Sequence, residues 1–275
     1  SALQHRDEVR VDEKPLVWHF GLIARWWAEF NTDGPEIAYF RSFIDRYGQP
    51  ALDAACGTGR LLLPYLREGL DVDGCDISAD MLALCEERAK REGLTPRLYR
   101  QALHELDLPR SYKTIIVCGA FGLGGSRRHD QEALQRLHRH LQPGGALLLD
   151  SYLPYKDEEE WHYWTKEGRS ELPQGWRTTG ARRGTANGDE LELQGRLVDL
   201  DPLDQVATRA IRATLWQDGK PVRQEEYTLL ERLYFRNEVI DMLSRAGFGD
   251  ILVLGDYTED PAASDSGILV YVAGA

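Results

Sequence analysis

Apolar positions recur in two different rhythms along this chain. Residues 16–30, LVWHFGLIARWWAEF, carry three tryptophans and two phenylalanines among few charges and predict one or two short helices. Residues 35–46, PEIAYFRSFIDR, place Ile37, Phe40 and Ile44 at helical spacing, with Pro35 suited to a first helical position. From residue 51 short apolar runs alternate with amphipathic stretches. ALDAACGTG predicts a strand and glycine turn, RLLLPYLREG a helix, DVDGCDI a second strand and SADMLALCEERAKREG a second helix. That helix has Ser78 as its cap, Asp80 in its first turn, Glu86 four residues before Lys90, and Gly93 to end it. PRLYRQA and YKTIIVCGAFG predict the third and fourth strands, and TIIVC is too continuously apolar to be half exposed. RHDQEALQRLHRHLQ reads as a helix striped by Leu134, Leu137 and Leu141, and PGG turns the chain into a fifth strand, ALLLD.

After residue 155 the period shortens to two. ELELQGRLVDL and ATRAIRATLW alternate, and a DGK turn joins the latter to VRQEEYTLLERLYF, the pattern of an antiparallel meander with one face in solvent. RNEVIDMLSRAGF returns to helical spacing, and ILVLGDY and SGILVYVAG read as closing strands. The expected fold is therefore α/β, a mostly parallel seven-stranded sheet with an antiparallel closing strand, plus an antiparallel β subdomain inserted after the fifth strand. The implied division is an N-terminal helical cap over 1–50, the main domain over 51–154 and 236–275, and the insert over 155–235.

Composition narrows the function classes. With 275 residues, 42 % hydrophobic, the chain can bury a sizeable core, and a formal charge of -12 opposes a nucleic-acid partner. The four cysteines, at 56, 75, 85 and 118, form no CxxC, and His138 and His140 do not share a helix face, so no metal site is expected. Scattered cysteines fit a reducing compartment, and no run approaches a membrane span or a signal-like apolar segment. A cytoplasmic protein without a membrane partner is the expectation.

The chemistry concentrates at the glycine turn. Ligands of open α/β sheets bind at the carboxyl ends of the strands. Asp53 stands there, Gly57 and Gly59 permit close backbone approach, and Asp76, ending the second strand, can accept from both ribose hydroxyls. A dinucleotide fingerprint would need a third glycine, but the position holds Leu62, or Arg60 if the frame is shifted. An acid beside a pyrophosphate is unhelpful, whereas an acid beside an ammonium is useful. The turn suits a nucleoside carrying a cation.

These residues, with Asp76-Ile77-Ser78 and Met81, LQPGGALLLD, and the AGF at 246–248, resemble the class I S-adenosylmethionine-dependent methyltransferases, with a Rossmann-like domain over 51–150 that resumes at 236–273. The resemblance implies S-adenosyl-L-methionine as cofactor and S-adenosyl-L-homocysteine as product. It implies that Asp53, Ala55, Gly57 and Gly59 hold the methionine part, that Asp76 binds the ribose, and that Ile77 and Met81 flank the adenine. Gln101, Ala102 and Leu103 fall where the family meets the adenine amino group, usually with an acid. A glutamine oxygen can also accept there. Cys118 and Phe121 belong to the stretch facing the reactive methyl. Ala55 replaces the commoner glycine, which implies slightly less room in the turn.

The antiparallel insert is similar in layout to that of the sugar N-methyltransferase branch. The implied reaction is methyl transfer to a small-molecule acceptor, an amine of a sugar-like or secondary metabolite. The alternatives are O- or C-methylation of a small aromatic metabolite, or a non-catalytic adenosylmethionine-binding protein. Methyl transfer from a sulfonium asks chiefly for alignment and exclusion of water, with a group to orient the amine or accept a proton. Tyr152 and His129 are the candidates. Trp18, Trp26, Tyr152, Tyr155, Trp161 and Trp164 are the candidate acceptor residues, because so many aromatics near one site imply a sizeable, partly apolar ligand. An exposed edge in the insert leads us to expect a homodimer.

Overall fold

A computed structural model describes residues 16–17, 19–178 and 182–275. Helix α1 (Gly21–Phe30) has no side-chain cap of its own. Its leading N–H groups are instead met from afar, Gly21 by Asp80 at 2.8 Å and Leu22 by Glu225 at 2.8 Å. Helix α2 (Pro35–Tyr47) starts on proline and buries Phe40, Phe43 and Ile44. The main domain then runs β1 (Ala51–Ala54), α3 (Leu62–Arg67), β2 (Val72–Asp76), α4 (Ala79–Arg91), β3 (Leu98–Arg100), β4 (Tyr112–Val117), α5 (Arg127–Arg139) and β5 (Leu141–Tyr152). The Ser78 hydroxyl caps α4 by accepting from Met81 N–H, and Ser126 does the same for α5 toward His129.

Between β5 and the last helix lie α6 (Glu158–His162), α7 (Lys166–Arg169), β6 (Arg177–Thr178), β7 (Arg183–Gly184), β8 (Glu190–Asp201), β9 (Val206–Gln217) and β10 (Lys220–Arg232). Helix α8 (Arg236–Arg245) and strands β11 (Gly249–Gly255) and β12 (Ile268–Gly274) complete the chain. The seven-stranded sheet has the order β11-β12-β5-β4-β1-β2-β3. Strand β12 runs antiparallel to both neighbours, while β5, β4, β1, β2 and β3 are mutually parallel. One face packs on Leu134 and Leu137 of α5 and Val239, Met242 and Leu243 of α8, and the other on α2, α3 and α4 through Phe40, Phe43, Leu62, Leu63, Leu82 and Cys85.

The second sheet is antiparallel, ordered β10-β9-β8-β6 with β7 also on β8. Its β9–β10 hairpin turns at Asp218 and Gly219, both with positive φ (49° and 73°), as a two-residue turn requires. Leu191, Leu193, Ile211, Ala213 and Leu215 on its inner face are covered by α1, through Leu22, Ile23, Trp26, Trp27 and Phe30. The two N-terminal helices thus serve two different cores. Within the insert, residues 155–176 lead in through α6 and α7 before the antiparallel strands begin. Asp157 nucleates α6 by accepting from the N–H groups of Glu159 and Glu160.

Strand β10 also reaches the main domain. Gly124 N–H donates to Leu230 C=O at 2.8 Å and Arg232 N–H to Gly122 C=O at 2.8 Å, in the loop that follows β4. Beneath that loop Arg232 and Asp130, 6 % and 7 % exposed, form a two-point ion pair, and Arg232 also donates to Gly125 C=O at 2.6 Å.

Candidate active site

The carboxyl ends of β5, β4, β1 and β2 form one edge, and the functional side chains gather there. Strand β1 ends in a tight turn in which Ala55, Gly57 and Gly59 all have positive φ (65°, 56° and 89°). A Cβ on Gly59 would lie 2.8 Å from both Cys85 Sγ and Leu63 Cγ, so only glycine brings α3 this close to α4. Ala55, a non-glycine residue, is held in the left-handed region, so its departure from glycine carries a conformational cost. Leu62, where a dinucleotide site would need glycine, is fully buried in the core.

Asp76 is fixed by the turn opposite it: Gly57 N–H donates to one oxygen at 2.9 Å and Ser78 N–H to the other at 2.8 Å. Burial raises its pKa, and these backbone donors oppose the rise. Each oxygen keeps a lone pair for a ligand hydroxyl. Ile77 beside it is 41 % exposed, an apolar wall open to the site, while Met81 is buried against Gly57. Asp53 is 2 % exposed, and its Oδ2 is buried without a hydrogen-bond partner. Burial pushes its pKa up to about 7, against the pull of Arg60.

Gln101 is placed differently from expectation. Its Oε1 accepts from Asp107 N–H at 2.8 Å and its Nε2 donates to Asp107 C=O at 3.0 Å, so the amide braces the loop containing Ala102 and Leu103. Cys118, just past β4, lies 3.4 Å from Asp150 Oδ2, and burial beside that acid holds it as a thiol. Phe121 stacks on Tyr234 at 5.4 Å.

The candidate acceptor residues fall into two groups. Trp26 packs on Trp27 and Phe30 in the core between α1 and the second sheet, away from the open edge. Trp18 lies outside the described residues. Tyr152, Tyr155 and Trp161, 55 %, 39 % and 40 % exposed, leave the end of β5 together, with Trp161 6.2 Å from Tyr155 and 5.1 Å from Trp164. Lys156 lies over the Tyr152 ring at 4.6 Å. Burial raises the Tyr152 pKa, which suits a phenol that donates and orients rather than one that removes a proton. His129 stacks on His104 at 4.1 Å, and its buried Nδ1 is turned toward Gly125. The structure does not bring Tyr152 and His129 together as a pair.

Four further residues belong to this edge. Asp150, 4 % exposed at the end of β5, accepts from Gly119 N–H at 2.5 Å and from Tyr257 Oη at 2.6 Å, fixing the start of the loop after β4. Arg60 donates to Glu36 at 2.8 Å and faces Cys118 Sγ at 3.6 Å. A lone acid closing an apolar strand and a lone cation in a glycine turn were visible signals for Asp150 and Arg60. Tyr257 and Glu36 come from remote segments and gave none. Among the described residues no group of three His, Cys, Asp or Glu could hold a metal ion, and no helix is long and apolar enough to cross a membrane.

A buried acid with an orphaned oxygen, a glycine turn open to a ligand, a second acid at the ribose position and an exposed apolar wall together fit a cationic nucleoside such as S-adenosylmethionine. The sheet that presents them has the Rossmann-like architecture, with its strand order closed by an antiparallel β12. The family described as "Methyltransferase domain" matches residues 51–145. A protein of Geobacillus sp. (strain WCH70) whose name places it among the methyltransferases is 24 % identical over 91 % of this chain and 97 % of its own. The chain spans about half the length of the quinone-biosynthesis C-methyltransferases it also matches, 49 % in that of Edwardsiella ictaluri, at 36 % identity over 46 % of this chain. Its fold is similar to an S-adenosylmethionine-dependent methyltransferase of Clostridium acetobutylicum ATCC 824 (TM-score 0.69, 17 % identity, 91 % of this chain and 96 % of that one). It is also similar to the sugar N-methyltransferase KedS8 of Streptoalloteichus sp ATCC 53650 (TM-score 0.67, 18 % identity, 97 % and 96 %). Residues 51–145 are thus a methyltransferase domain on a Rossmann-like fold, and the chain as a whole is similar in fold to S-adenosylmethionine-dependent methyltransferases.

Proposed function

We propose that this enzyme methylates an amine on a sugar-like or otherwise ring-shaped small metabolite. The observation that carries the reading is the exposed row Tyr152, Tyr155 and Trp161 at the end of β5, beside the buried acids of the cofactor edge. Flat aromatic faces of this kind bind rings in a concave, partly apolar site. The likeness to a sugar N-methyltransferase extends over nearly the whole chain, insert included, and supports the same acceptor class.

S-adenosylmethionine supplies a methyl group already activated by its sulfonium. The chain's own part is to hold and align. Asp76 accepts from the ribose hydroxyls and Asp53 from the ammonium, while Ile77 covers the base. Asp150 and Tyr257 hold the Gly119 end of the loop after β4, and Tyr152 orients the acceptor through its hydroxyl. An amine that arrives neutral needs no strong base. The acceptor reaches the site as a small molecule from solution, and neither nucleic acid nor membrane takes part.

Methyl transfer from labelled S-adenosylmethionine to a panel of amino sugars (free and nucleotide-linked), phenols and quinols tests the reading. Transfer to amines with a raised KM in Tyr152→Phe and Trp161→Ala is expected. Transfer confined to phenols or quinols would replace the reading with O- or C-methylation, and cofactor binding with no acceptor in any class would make the protein a sensor.

A further inference from the structure

We propose that Arg209 is a positioning residue for the acceptor mouth: its guanidinium holds helix α6, and with it Trp161, in a set place relative to the loop after β4. The assignment rests on the reading of Trp161 as an acceptor residue. Strand β9 places Arg209 on the inner face of the second sheet, opposite Leu197 of β8 and Leu229 of β10. It stands two residues from Ile211, which α1 covers, and two from Ala207, which packs with Tyr163. From there it reaches acids of two different segments. Its Nη1 and Nη2 donate to the two carboxylate oxygens of Glu160 on α6, the latter at 2.9 Å, and its Nε donates to Glu231 of β10 at 2.7 Å. Glu231 in turn pairs through its backbone with Leu123 in the loop after β4.

Helix α6 has little else to hold it. It is five residues long, well short of what is stable alone in water, and none of its residues is buried. Its pair between Glu159 and Arg177 has both side chains more than half exposed, so it contributes little. The Arg209 side chain is 19 % exposed, and its fork meets Glu160 at both oxygens, the geometry in which a charge-assisted pair is strong. Trp161 follows Glu160 directly. Its closest ring neighbour, Trp164 at 5.1 Å, lies on the same lead-in. Tyr155 at 6.2 Å and Phe235 at 6.4 Å meet it edge-on, toward the long end of the aromatic range. These contacts leave the height of the indole to the helix that carries it. A planar guanidinium bonded on two sides is the rigid piece in that support, joining α6 to the strand that pairs with the loop after β4.

Steady-state kinetics with the amine of the panel that accepts methyl fastest, together with hydrogen exchange, tests the assignment. Arg209→Gln should raise the acceptor KM about tenfold and leave S-adenosylhomocysteine affinity within about twofold. Arg209→Lys, which keeps the charge and loses the fork, should fall in between. In a Trp161→Ala background Arg209→Gln should change KM by less than about twofold, because the residue through which Arg209 acts is gone. Backbone exchange over residues 158–164, a measurement that needs no acceptor, should quicken about tenfold in Arg209→Gln while that over α1 is unchanged. If Arg209→Gln does not fold, Glu160→Gln, which keeps Arg209 paired with Glu231, carries the same expectations. A KM effect of equal size with and without Trp161, or unchanged exchange over 158–164, overturns the positioning role. An unchanged KM in Trp161→Ala itself overturns the acceptor reading, and the role of Arg209 with it.

Discussion

Asp53 carries a measurable cost for the empty protein, and Asp53→Asn should expose it. Its carboxyl titrates near 3.8 when solvated and is pushed up to about 7 in the fold by burial. The folded state therefore holds the proton more tightly than the unfolded chain, and stability falls as pH rises through the window between about 4 and 7. A shift of about three units at ~1.4 kcal/mol each makes the full penalty about 4 kcal/mol, of which about 2.5 kcal/mol is incurred between pH 5 and pH 8. At 2 % exposure solvent screening reduces this little. Asparagine has the same shape and no charge to desolvate.

The assay is the difference in Tm between Asp53→Asn and wild type, both without cofactor, because other titrating groups then cancel. At roughly 2 °C per kcal/mol for a chain of this size, the difference should move by about 5 °C in favour of the variant between pH 5 and pH 8. Binding should show the opposite preference. S-adenosylhomocysteine needs the carboxylate ionised, so wild-type affinity should weaken by up to tenfold per unit as pH drops below about 7, and the variant should bind weakly at all pH values. A Tm difference that is the same at both pH values would refute the reasoning, because it would mean that Asp53 carries its charge in the fold at no cost.

Asp76→Ala should weaken S-adenosylhomocysteine binding by about a hundredfold in calorimetry, as loss of two charge-assisted bonds implies; unchanged affinity would remove Asp76 from the ribose site. Ala55→Gly should stabilise the protein by about 0.5–1 kcal/mol in urea unfolding, because the residue has φ 65°. Trp26→Ala should lower Tm with little change in acceptor KM, whereas Trp161→Ala should raise KM with little change in Tm, following their places in the core and at the open edge. Arg232→Gln leaves Asp130 buried without its partner and should cost about 3 kcal/mol in unfolding free energy.

Local pattern was enough for the elements whose partners are near in sequence. The parallel strands, the Ser78 cap and the Asp218-Gly219 hairpin turn each rest on residues within a few positions of one another. The structure also brings Asp53, the two glycines and Asp76 to one edge, as their spacing over one strand-turn-helix-strand unit implies. What stayed hidden depends on distant packing or on local side-chain choices that leave no apolar period. Asp157 capping α6 was masked by a run of acids, EEEW, that carries no apolar period. Gln101 was expected at the adenine, yet its amide closes on Asp107, six residues away, a choice that periodicity does not encode. Trp26 and Trp161 look alike in sequence. Only the packing of α1 across β8 and β9 makes one a core residue and leaves the other at the mouth.

The insert and the cofactor edge are joined at two points, and this bears on how the enzyme aligns its reactants. At one end Asp80 of α4 and Glu225 of β10 hold successive N–H groups of α1, tying the helix that follows β2 to the second sheet. At the other, β10 pairs with the loop after β4 at Gly122 and Gly124, over the buried Arg232–Asp130 pair. The same loop begins at Gly119, which Asp150 holds from β5. A displacement reaction is sensitive to misplacement of about an ångström between nucleophile and methyl group. Here the second sheet and the loop after β4 share backbone hydrogen bonds, so neither shifts without breaking bonds to the other. The long antiparallel insert is thus braced at two separate points against the edge that carries Asp76 and Asp150.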